Sequence, residues 1–347
     1  MQKLALAFVS LLLLALSSPS FADYKNIREE QTLTREVQNA FRQKNFKELE
    51  EMAHWYRNEK KILEDGGCGL YCYYSAVEEA LKPPMSNDLS EADYVATLEL
   101  IDEWGKRYPD SITQRVAKAG VLINFAWLAR GNDWAYTVTE DGWRLFRKRI
   151  QKAYDVLKDA PADIKDDCPQ RFFNLLIVAR AQSWERDKCD EVFYKGMRFY
   201  PWYFPLLSQR ATYLLPRWGG KEGEWLKFAD EAVRLSPTSE GMYPYTYVVK
   251  LTHGYDEWKM FDEKNGVSWK KMKQGFQDKL EKHPRSRYYL TRFAFFAIKA
   301  NDWQIAKELF DKIGNNPDPE IWPDRKIYDL QREAVNFNYN ETIKKKK

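Results

Sequence analysis

Apolar residues recur along most of this chain at intervals of three and four, and alternating runs of β-branched residues are scarce. That spacing places apolar side chains on one face of an α-helix. The segment from Ser286 to Gly314 shows the pattern clearly, because Asn301-Asp302-Trp303 separates two such stripes and Gly314 suits a helix end. The stripes are Tyr289, Leu290, Phe293, Phe296 and Ala297, then Ile305, Ala306, Leu309 and Phe310. We therefore predict a helical hairpin over this segment.

The same hairpin pattern returns through the chain, with prolines at the turns. Pro201, Pro237 and Pro284 are 36 and 47 residues apart, which is near the tetratricopeptide period of about 34 without matching it. A two-helix unit cannot cover its own apolar face, so such units stack, and the stack curves around a concave surface. The sequence predicts an all-α fold, an irregular tetratricopeptide-like helical-hairpin solenoid.

The segment 1–22 has the composition of a signal peptide. Lys3 precedes an apolar run from Leu4 to Leu16, and Ser20-Phe21-Ala22 suits signal peptidase. A run of this length falls short of the about 20 apolar residues that cross a membrane. We expect cleavage between Ala22 and Asp23, no integral membrane span, and a periplasmic or secreted mature protein.

Domain boundaries are predicted from breaks in the helical pattern. Residues 23–335 form the predicted helical repeat domain, with a possible subdivision near 238–266, where the pattern weakens and one or two short helices are expected. Residues 336–347 are polar and end in the lysine run Lys344 to Lys347. We expect this segment to be a flexible basic tail.

Charge and composition exclude two broad classes of protein. The chain has 55 basic and 51 acidic side chains, and Lys3 with the terminal lysine run accounts for the excess. The folded part is therefore near neutral, and the basic excess that nucleic-acid binding requires is missing from it. Hydrophobic residues make up 44% and aromatic residues 15% of the chain, which is too much apolar surface for a disordered protein.

Two local runs carry a resemblance to a known family. The first contains Arg130-Gly131, Trp134 and Asp141-Gly142-Trp143-Arg144-Leu145-Phe146, and the second is Tyr213-Leu214-Leu215-Pro216-Arg217-Trp218-Gly219-Gly220. Over roughly Leu98 to Leu235 the chain resembles a bacterial family described only as a domain of unknown function with tetratricopeptide-like repeats. The resemblance implies a helical repeat fold and assigns no reaction. The N-terminal cysteine segment and the stretch near Thr238 depart from the family.

Motifs for catalysis, metal binding and cofactor binding are scarce. The chain has 3 histidines and lacks a nucleophile elbow, a phosphate loop and a dinucleotide fingerprint. We predict no catalytic residue, no metal site and no cofactor. A pair of carboxylates for glycoside hydrolysis, assembled by the fold, stays open.

The cysteines fall in separate segments of the chain. Cys68 and Cys72 follow a pair of glycines, and a local disulfide between them is a reasonable expectation in an oxidising compartment, with free thiols as the alternative. Cys168 and Cys189 flank a predicted helix, which places them roughly 20 Å apart at 1.5 Å per residue. These two thiols are therefore expected not to bond to each other.

Aromatic residues at the helix turns are the main candidates for binding. Trp202 and Tyr203, and Arg217 with Trp218, could offer flat faces to a sugar or to an extended peptide. The alternative is that these rings only pack neighbouring helices together.

The leading functional hypothesis is an exported helical-repeat scaffold that binds a protein partner or peptide segment in its concave groove, with no catalysis implied. The alternatives are a carbohydrate- or peptidoglycan-active enzyme, and a binding module for a glycan or small ligand. Aromatic rings along one groove would favour the binding module. A cleft holding paired carboxylates of raised pKa would favour the enzyme.

Overall fold

The computed structural model of the chain describes residues 29–82, 91–131, 134–159, 167–252, 260–261 and 266–345. Within these ranges the chain forms 15 α-helices and no β-strand, so the predicted all-α fold is confirmed. In chain order the helices are α1 (Glu29–Arg42), α2 (Phe46–Glu59), α3 (Gly69–Ala80), α4 (Glu91–Arg107), α5 (Ile112–Arg130), α6 (Glu140–Leu157), α7 (Pro169–Ala181), α8 (Arg186–Phe199), α9 (Pro205–Tyr213), α10 (Glu224–Leu235), α11 (Tyr243–Thr252), α12 (Trp269–Lys282), α13 (Arg287–Lys299), α14 (Trp303–Ile313) and α15 (Arg325–Lys344).

Capping side chains fix where several of these helices begin. Ser111 accepts a hydrogen bond from the backbone N–H of Gln114 at the start of α5, and Thr139 accepts one from Gly142 at the start of α6. The side chains of Asn45, Ser268, Ser286 and Asp302 cap α2, α12, α13 and α14 in the same way. Each cap of this kind stabilises the fold by about 1 kcal/mol. The predicted hairpin over 286–314 is present as the packed pair α13 and α14.

The helices stack in a regular order. Every odd-numbered helix from α1 to α11 contacts the next odd-numbered helix, and each even-numbered helix packs against a neighbour in sequence. From α11 to α15 each helix packs against the next. A solenoid of helical hairpins requires contacts of this kind, because each pair buries the apolar face of the pair before it. The repeat arrangement itself stays a prediction.

The segment near 238–266 contains a short helix, as predicted. α11 follows a 3-10 turn at Thr238–Glu240 and packs against α9, α10 and α12. Val248 and Val249 of α11 are fully buried. Residues 253–259 and 262–265 lie outside the described part of the chain, so the subdivision of the repeat domain stays a prediction.

The structure differs from the sequence prediction at the C-terminal end. α15 continues to Lys344, so most of the segment 336–347, predicted as a flexible tail, is helical. Val335 is the last buried residue of α15, and beyond it Asn338 and Thr342 hydrogen-bond to carbonyl oxygens one turn earlier. The loss of apolar positions after Val335 therefore shows where α15 stops packing against the other helices, but it does not show where the helix ends. Once packing has nucleated a helix, further residues join it at little cost in free energy.

Some predicted features lie outside the described residues, and the prediction about membrane spans is tested only within them. The predicted signal peptide, residues 1–22 with its cleavage site between Ala22 and Asp23, is outside, as are the last two lysines of the terminal run. Among the helices that are described, none is both long and apolar enough to cross a membrane.

A buried ion pair joins the end of α6 to the start of α7. The side chains of Arg171 and Asp167 are 5% and 1% exposed. Arg171 donates from Nε to Asp167 Oδ1 at 2.6 Å and from Nη2 to Oδ2. The Nη1 of Arg171 donates to the carbonyl oxygen of Leu157 at 3.1 Å. Both charges are thus taken from water into a paired, hydrogen-bonded arrangement.

The loop between α2 and α3 meets the opposite end of the helical array. The hydroxyl of Ser286, the residue before α13, donates a hydrogen bond of 2.8 Å to the carbonyl oxygen of Asp65, a partner 221 positions away in sequence. This contact sets the loop 60–68 against α12 and α13 and encloses a cavity between the N-terminal and C-terminal helices.

Candidate functional site

A cavity of about 320 Å³ lies where the loop 60–68 meets α11, α12 and α13. Its wall carries four tyrosines of α11 and α13 and the lysines of α11 and α12, and we call it the tyrosine–lysine cavity. These defining residues are Tyr243, Tyr247, Tyr288, Tyr289, Lys250 and Lys279. The volume is at the lower end of the range for small-molecule sites in proteins.

Helical spacing explains how these side chains come together. Tyr243, Tyr247 and Lys250 are separated by four and three residues, so they share one face of α11. Lys279 lies in the last turn of α12, and Tyr289 lies in the first turn of α13. The short connection between α12 and α13 therefore brings the lysine and the tyrosine to the same wall.

Lys279 is a buried residue whose ammonium group lies against two tyrosine rings. The residue is 5% exposed, and its Nζ lies 4.7 Å from the ring centroid of Tyr243 and 5.6 Å from that of Tyr289. In the described part of the chain, no side chain forms a hydrogen bond or ion pair with this Nζ. Burial lowers the pKa of Lys279 to about 8; the carboxylate of Glu240 opposes this change, and the positive charge of Lys250 adds to it.

Lys250 contacts the same tyrosine cluster. Its Nζ lies 4.9 Å from the ring centroid of Tyr247 and 5.4 Å from that of Tyr289, and donates a long hydrogen bond of 3.5 Å to the hydroxyl of Tyr288. Burial lowers the pKa of Lys250. Burial acts to raise the pKa of Tyr288, but the charges of Lys250 and Arg292 outweigh it and lower that pKa. The cavity thus concentrates positive charge on a phenolic wall.

Two of the tyrosines are hydrogen-bonded to each other. The hydroxyl groups of Tyr243 and Tyr289 are 2.6 Å apart and buried. Burial raises the pKa of both phenols far above neutral pH. Their rings therefore remain neutral, and the negative π-faces hold the lysine ammonium groups by cation–π attraction.

Carboxylates also line the cavity, but none of them pairs with Lys279. Asp65 accepts a hydrogen bond from the backbone N–H of Gly67 at 2.9 Å, and Glu240 pairs with Lys282 at 2.6 Å. The remaining lining carboxylates belong to Glu30 and Glu320. None of these four acidic residues is buried as Lys279 is. The buried charge of the cavity is therefore positive, and the acidic groups lie nearer to solvent.

Cys68 and Cys72 line the same cavity as free thiols. Cys68 is the residue before α3, and Cys72 lies one turn inside that helix. Burial raises the pKa of Cys68 to about 11 and also raises that of Cys72, which keeps both thiols protonated at neutral pH. The expected disulfide between them is not formed in the structure, and it stays a prediction for the oxidised protein. Cys168 and Cys189 are also unpaired, as the helix prediction requires.

The structure separates the roles of Trp202 and Tyr203. Trp202 is partly buried and lines the tyrosine–lysine cavity. Tyr203 is fully buried, and its hydroxyl donates to the side-chain oxygen of Gln170. Trp202 therefore lines the cavity, whereas Tyr203 packs between helices, and the binding role expected of the two residues stays a prediction.

Arg217 and Trp218, the second predicted pair, lie away from the cavity. They occupy a 3-10 turn after the end of α9, whereas Trp202 precedes its start. The ring of Trp218 lies 6.5 Å from that of Trp127, and the guanidinium of Arg180 lies 5.1 Å from its centroid. These contacts join α5, α7 and the turn after α9, so the structure does not bring the two predicted pairs into one site.

Among the described residues, a carboxylate of raised pKa, as the enzyme hypothesis requires, lies outside the tyrosine–lysine cavity. Glu78 has a pKa that burial raises, which is a property of many catalytic acids. However, Glu78 accepts a hydrogen bond from Asn124 at 3.2 Å between α3 and α5 and does not line the cavity. Within the described ranges, no group of three His, Cys, Asp or Glu side chains is placed to hold a metal ion.

The sequence prediction missed most residues of the cavity. Tyr243, Tyr247 and Lys250 fall in a segment interpreted as an interruption, although their spacing of four and three is itself a helical signal. Lys279 follows the pattern of an ordinary charged helix position. Its burial depends on the distant loop 60–68, and no local pattern indicates that contact.

Comparison with protein-family models and with curated proteins finds no match to this chain. The family resemblance carried by the runs around Trp143 and Trp218 therefore stays a prediction. The functional assignment depends on the geometry and charge of the tyrosine–lysine cavity.

Proposed function

We propose that this protein is a binding protein that takes a small anionic ligand with an apolar body into the tyrosine–lysine cavity. The observation that carries the proposal is the ammonium group of Lys279. It is buried against the rings of Tyr243 and Tyr289 and has no anionic partner among the described residues.

A bound anion would offset the free-energy cost of burying the charge of Lys279. An ammonium group in apolar surroundings without a hydrogen-bond acceptor is costly, and the lowered pKa of Lys279 expresses that cost. A carboxylate or similar oxyanion beside Nζ would supply the acceptor and keep the proton on the lysine. Charge-assisted hydrogen bonds of this kind are about twice as strong as neutral ones.

The aromatic rings of the cavity favour a ligand whose remaining part is apolar. Tyr71, Tyr247 and Trp202 contribute rings to the cavity, and such rings bind flat apolar groups by stacking and burial. The enclosed volume holds a compact molecule or a single side chain. A ligand that combines an oxyanion with a ring or short aliphatic body therefore fits the charge and the shape of the cavity.

The test is calorimetric titration with benzoate and with benzamide, which has the same shape without the charge. Wild type is expected to bind benzoate at least tenfold more tightly, and the preference is expected to disappear in Lys279→Met, because a hydrogen bond to a charged group contributes roughly 1.5–3 kcal/mol. Lys270→Met is the matched control, since Lys270 is an exposed lysine on the same helix.

Affinity for benzoate is also expected to fall as the pH rises above about 8, where Lys279 loses its charge. Equal binding of benzoate and benzamide, or an unchanged preference in Lys279→Met, would contradict the proposal. The absence of binding by a panel of aromatic and aliphatic carboxylates would also contradict it.

A second candidate function, a scaffold for a protein partner, is favoured by the surface of α15. Ile327, Leu330 and Phe337 are 50%, 64% and 66% exposed, and their spacing places them on one face of the helix. An exposed apolar stripe on the last helix of an array is typical of a docking surface. Crosslinking in intact cells tests this candidate: a protein partner is expected to be lost from Leu330→Glu and Phe337→Glu and retained by Lys270→Met, which changes an exposed residue of α12.

Export is also a proposal, and the predicted signal peptide, residues 1–22, supports it. A protein with this signal peptide is expected in the periplasm or outside the cell, with its mature chain beginning at Asp23. The intact mass of the protein recovered from its native cells tests this expectation. A chain that retains residues 1–22 and fractionates with the cytosol would exclude export.

A further inference from the structure

A second cavity of about 300 Å³ adjoins the tyrosine–lysine cavity. Lys60 and Trp202 line both cavities, so the two cavities share part of their lining. The second cavity is otherwise lined mainly by Arg57 and Asn58 of α2 and by the chain at the end of α8, including Tyr200. We call it the Arg57 cavity.

Two N–H donors of residues lining this cavity are buried and have no hydrogen-bond partner. They are Nη1 of Arg57 and Nε1 of Trp202. Buried polar groups in native proteins are nearly always hydrogen-bonded, and leaving one unpaired costs about 1–3 kcal/mol. Two unpaired donors at one cavity therefore point to a missing acceptor rather than to a packing defect.

The neighbouring groups do not supply that acceptor. Asp167 also lines the Arg57 cavity, but both of its carboxylate oxygens accept hydrogen bonds from Arg171. Burial raises the pKa of the Cys168 thiol beside Arg57, and burial also raises that of the Tyr200 phenol. Both groups are neutral at physiological pH, so neither balances the guanidinium charge.

The missing acceptor is expected to be negatively charged. Arg57 is always protonated, and Lys60 adds a second positive charge at the same cavity. An oxyanion accepts hydrogen bonds from a guanidinium and from an indole N–H at the same time, because each of its oxygens has free lone pairs.

We propose that the Arg57 cavity is a second ligand site, which binds an oxyanion, either a carboxylate or a phosphate, through Arg57 Nη1 and Trp202 Nε1. This site is distinct from the tyrosine–lysine cavity and does not depend on the function proposed for it. Because Trp202 lines both cavities, an oxyanion bound to its Nε1 also fixes the indole that lines the tyrosine–lysine cavity.

The test follows the indole N–H signal of Trp202 by two-dimensional ¹H–¹⁵N NMR of the full chain. The signal is identified as the one that Trp202→Phe removes. Inorganic phosphate and acetate are titrated separately at constant ionic strength, with chloride as the reference anion. The Trp202 signal is expected to move saturably with at least one of the two anions, and the anion that acts identifies the ligand chemistry.

Variants separate the role of each donor. Arg57→Met is expected to weaken anion binding at least tenfold, as judged from the same signal, since a hydrogen bond to a charged group is lost. Trp202→Phe keeps an aromatic wall without the donor, and calorimetry is expected to show binding roughly tenfold weaker. Lys279→Met is expected to leave this binding unchanged, which distinguishes the site from the tyrosine–lysine cavity.

Three results would overturn the proposal. They are a Trp202 signal that responds to phosphate and acetate no more than to chloride, an unchanged response in folded Arg57→Met, and a response abolished by Lys279→Met. If Arg57→Met fails to fold, the titration of Lys279→Met decides the question, because Trp202 lines both cavities and only binding in the Arg57 cavity is expected to survive this substitution.

Discussion

A β-carbon placed on Gly66 would lie 2.7 Å from Cε2 of Tyr289, closer than β-carbons approach other atoms in proteins. Gly66 also has a φ of +89°, in the region that glycine adopts readily and other residues avoid. Both properties let the loop 60–68 lie directly on the tyrosine wall. The enclosure of the cavity therefore depends on the absence of a side chain at this position.

Gly66→Ala is expected to destabilise the protein and to open the cavity. The backbone conformation contributes a loss of about 1 kcal/mol, and the collision with Tyr289 adds about 1–3 kcal/mol. Gly219→Ala is the matched control, because Gly219 has a φ of +94° and no atom within 4 Å of the added carbon. Urea unfolding measures both variants, and equal losses would show that the contact with Tyr289 is not tight.

Lys279→Met is expected to be more stable than wild type at pH 7. The pKa of Lys279 is about 8 in the folded protein against 10.5 as its ordinary value. Below pH 8 both states carry the proton and the folded state bears the full cost of burying it, about 3 kcal/mol. Between pH 8 and 10.5 the unfolded state binds more protons, so wild type gains stability relative to the variant.

Denaturant unfolding at several pH values measures this difference between wild type and Lys279→Met. The advantage of the variant is expected to shrink steadily from pH 8 to 10, whereas Lys270→Met tracks wild type throughout. An advantage that does not change with pH would mean that the pKa of Lys279 is the same in the folded and unfolded states.

Asp167→Asn is expected to cost about 3–5 kcal/mol, because it leaves the guanidinium of Arg171 buried without its counterion. Replacing both partners, as Asp167→Leu with Arg171→Met, is expected to cost less than the single substitution. Thermal or urea unfolding of the three proteins measures the comparison. A loss below about 1 kcal/mol for Asp167→Asn would show that water reaches the pair.

The thiols of Cys68 and Cys72 are expected to react slowly with alkylating agents at neutral pH, because burial raises the pKa of both. In protein recovered from an oxidising compartment, we expect the two to be joined, with an intact mass lower by two hydrogens. Cys189→Ser is expected to keep this mass difference and Cys72→Ser to abolish it. Two freely alkylated thiols in such protein would exclude the disulfide.

Local signals were sufficient to predict most of the helices. Ser111 and Asp302 cap α5 and α14 where the apolar stripes begin, and the stripe around Phe293 and Phe296 is buried as predicted. Capping and periodicity act over a few residues, so one sequence reveals them. The C-terminal end of α15 was not predicted, because its last turns are exposed and carry no apolar signal.

The candidate site was predicted only at Trp202. An aromatic residue at a turn is visible in the sequence, but the same pattern also describes Tyr203, which packs helices instead. Lys279 and Arg57 gain their importance from what surrounds them in three dimensions. The sequence shows two ordinary charged residues on helices, and only tertiary contacts show that one is buried and the other has an unpaired donor.

The hydrogen bond between Ser286 and Asp65 joins residues 221 positions apart, so the cavity is assembled late in synthesis of the chain. Each helical hairpin can fold as soon as its own residues are made, since its contacts are local. The loop 60–68 contacts Glu29 of α1, but its contact with α12 and α13 forms only after those helices have been made. A chain cut short before α12 would lack Lys279, Tyr288 and Tyr289, so the tyrosine–lysine cavity is complete only after α13 has been made.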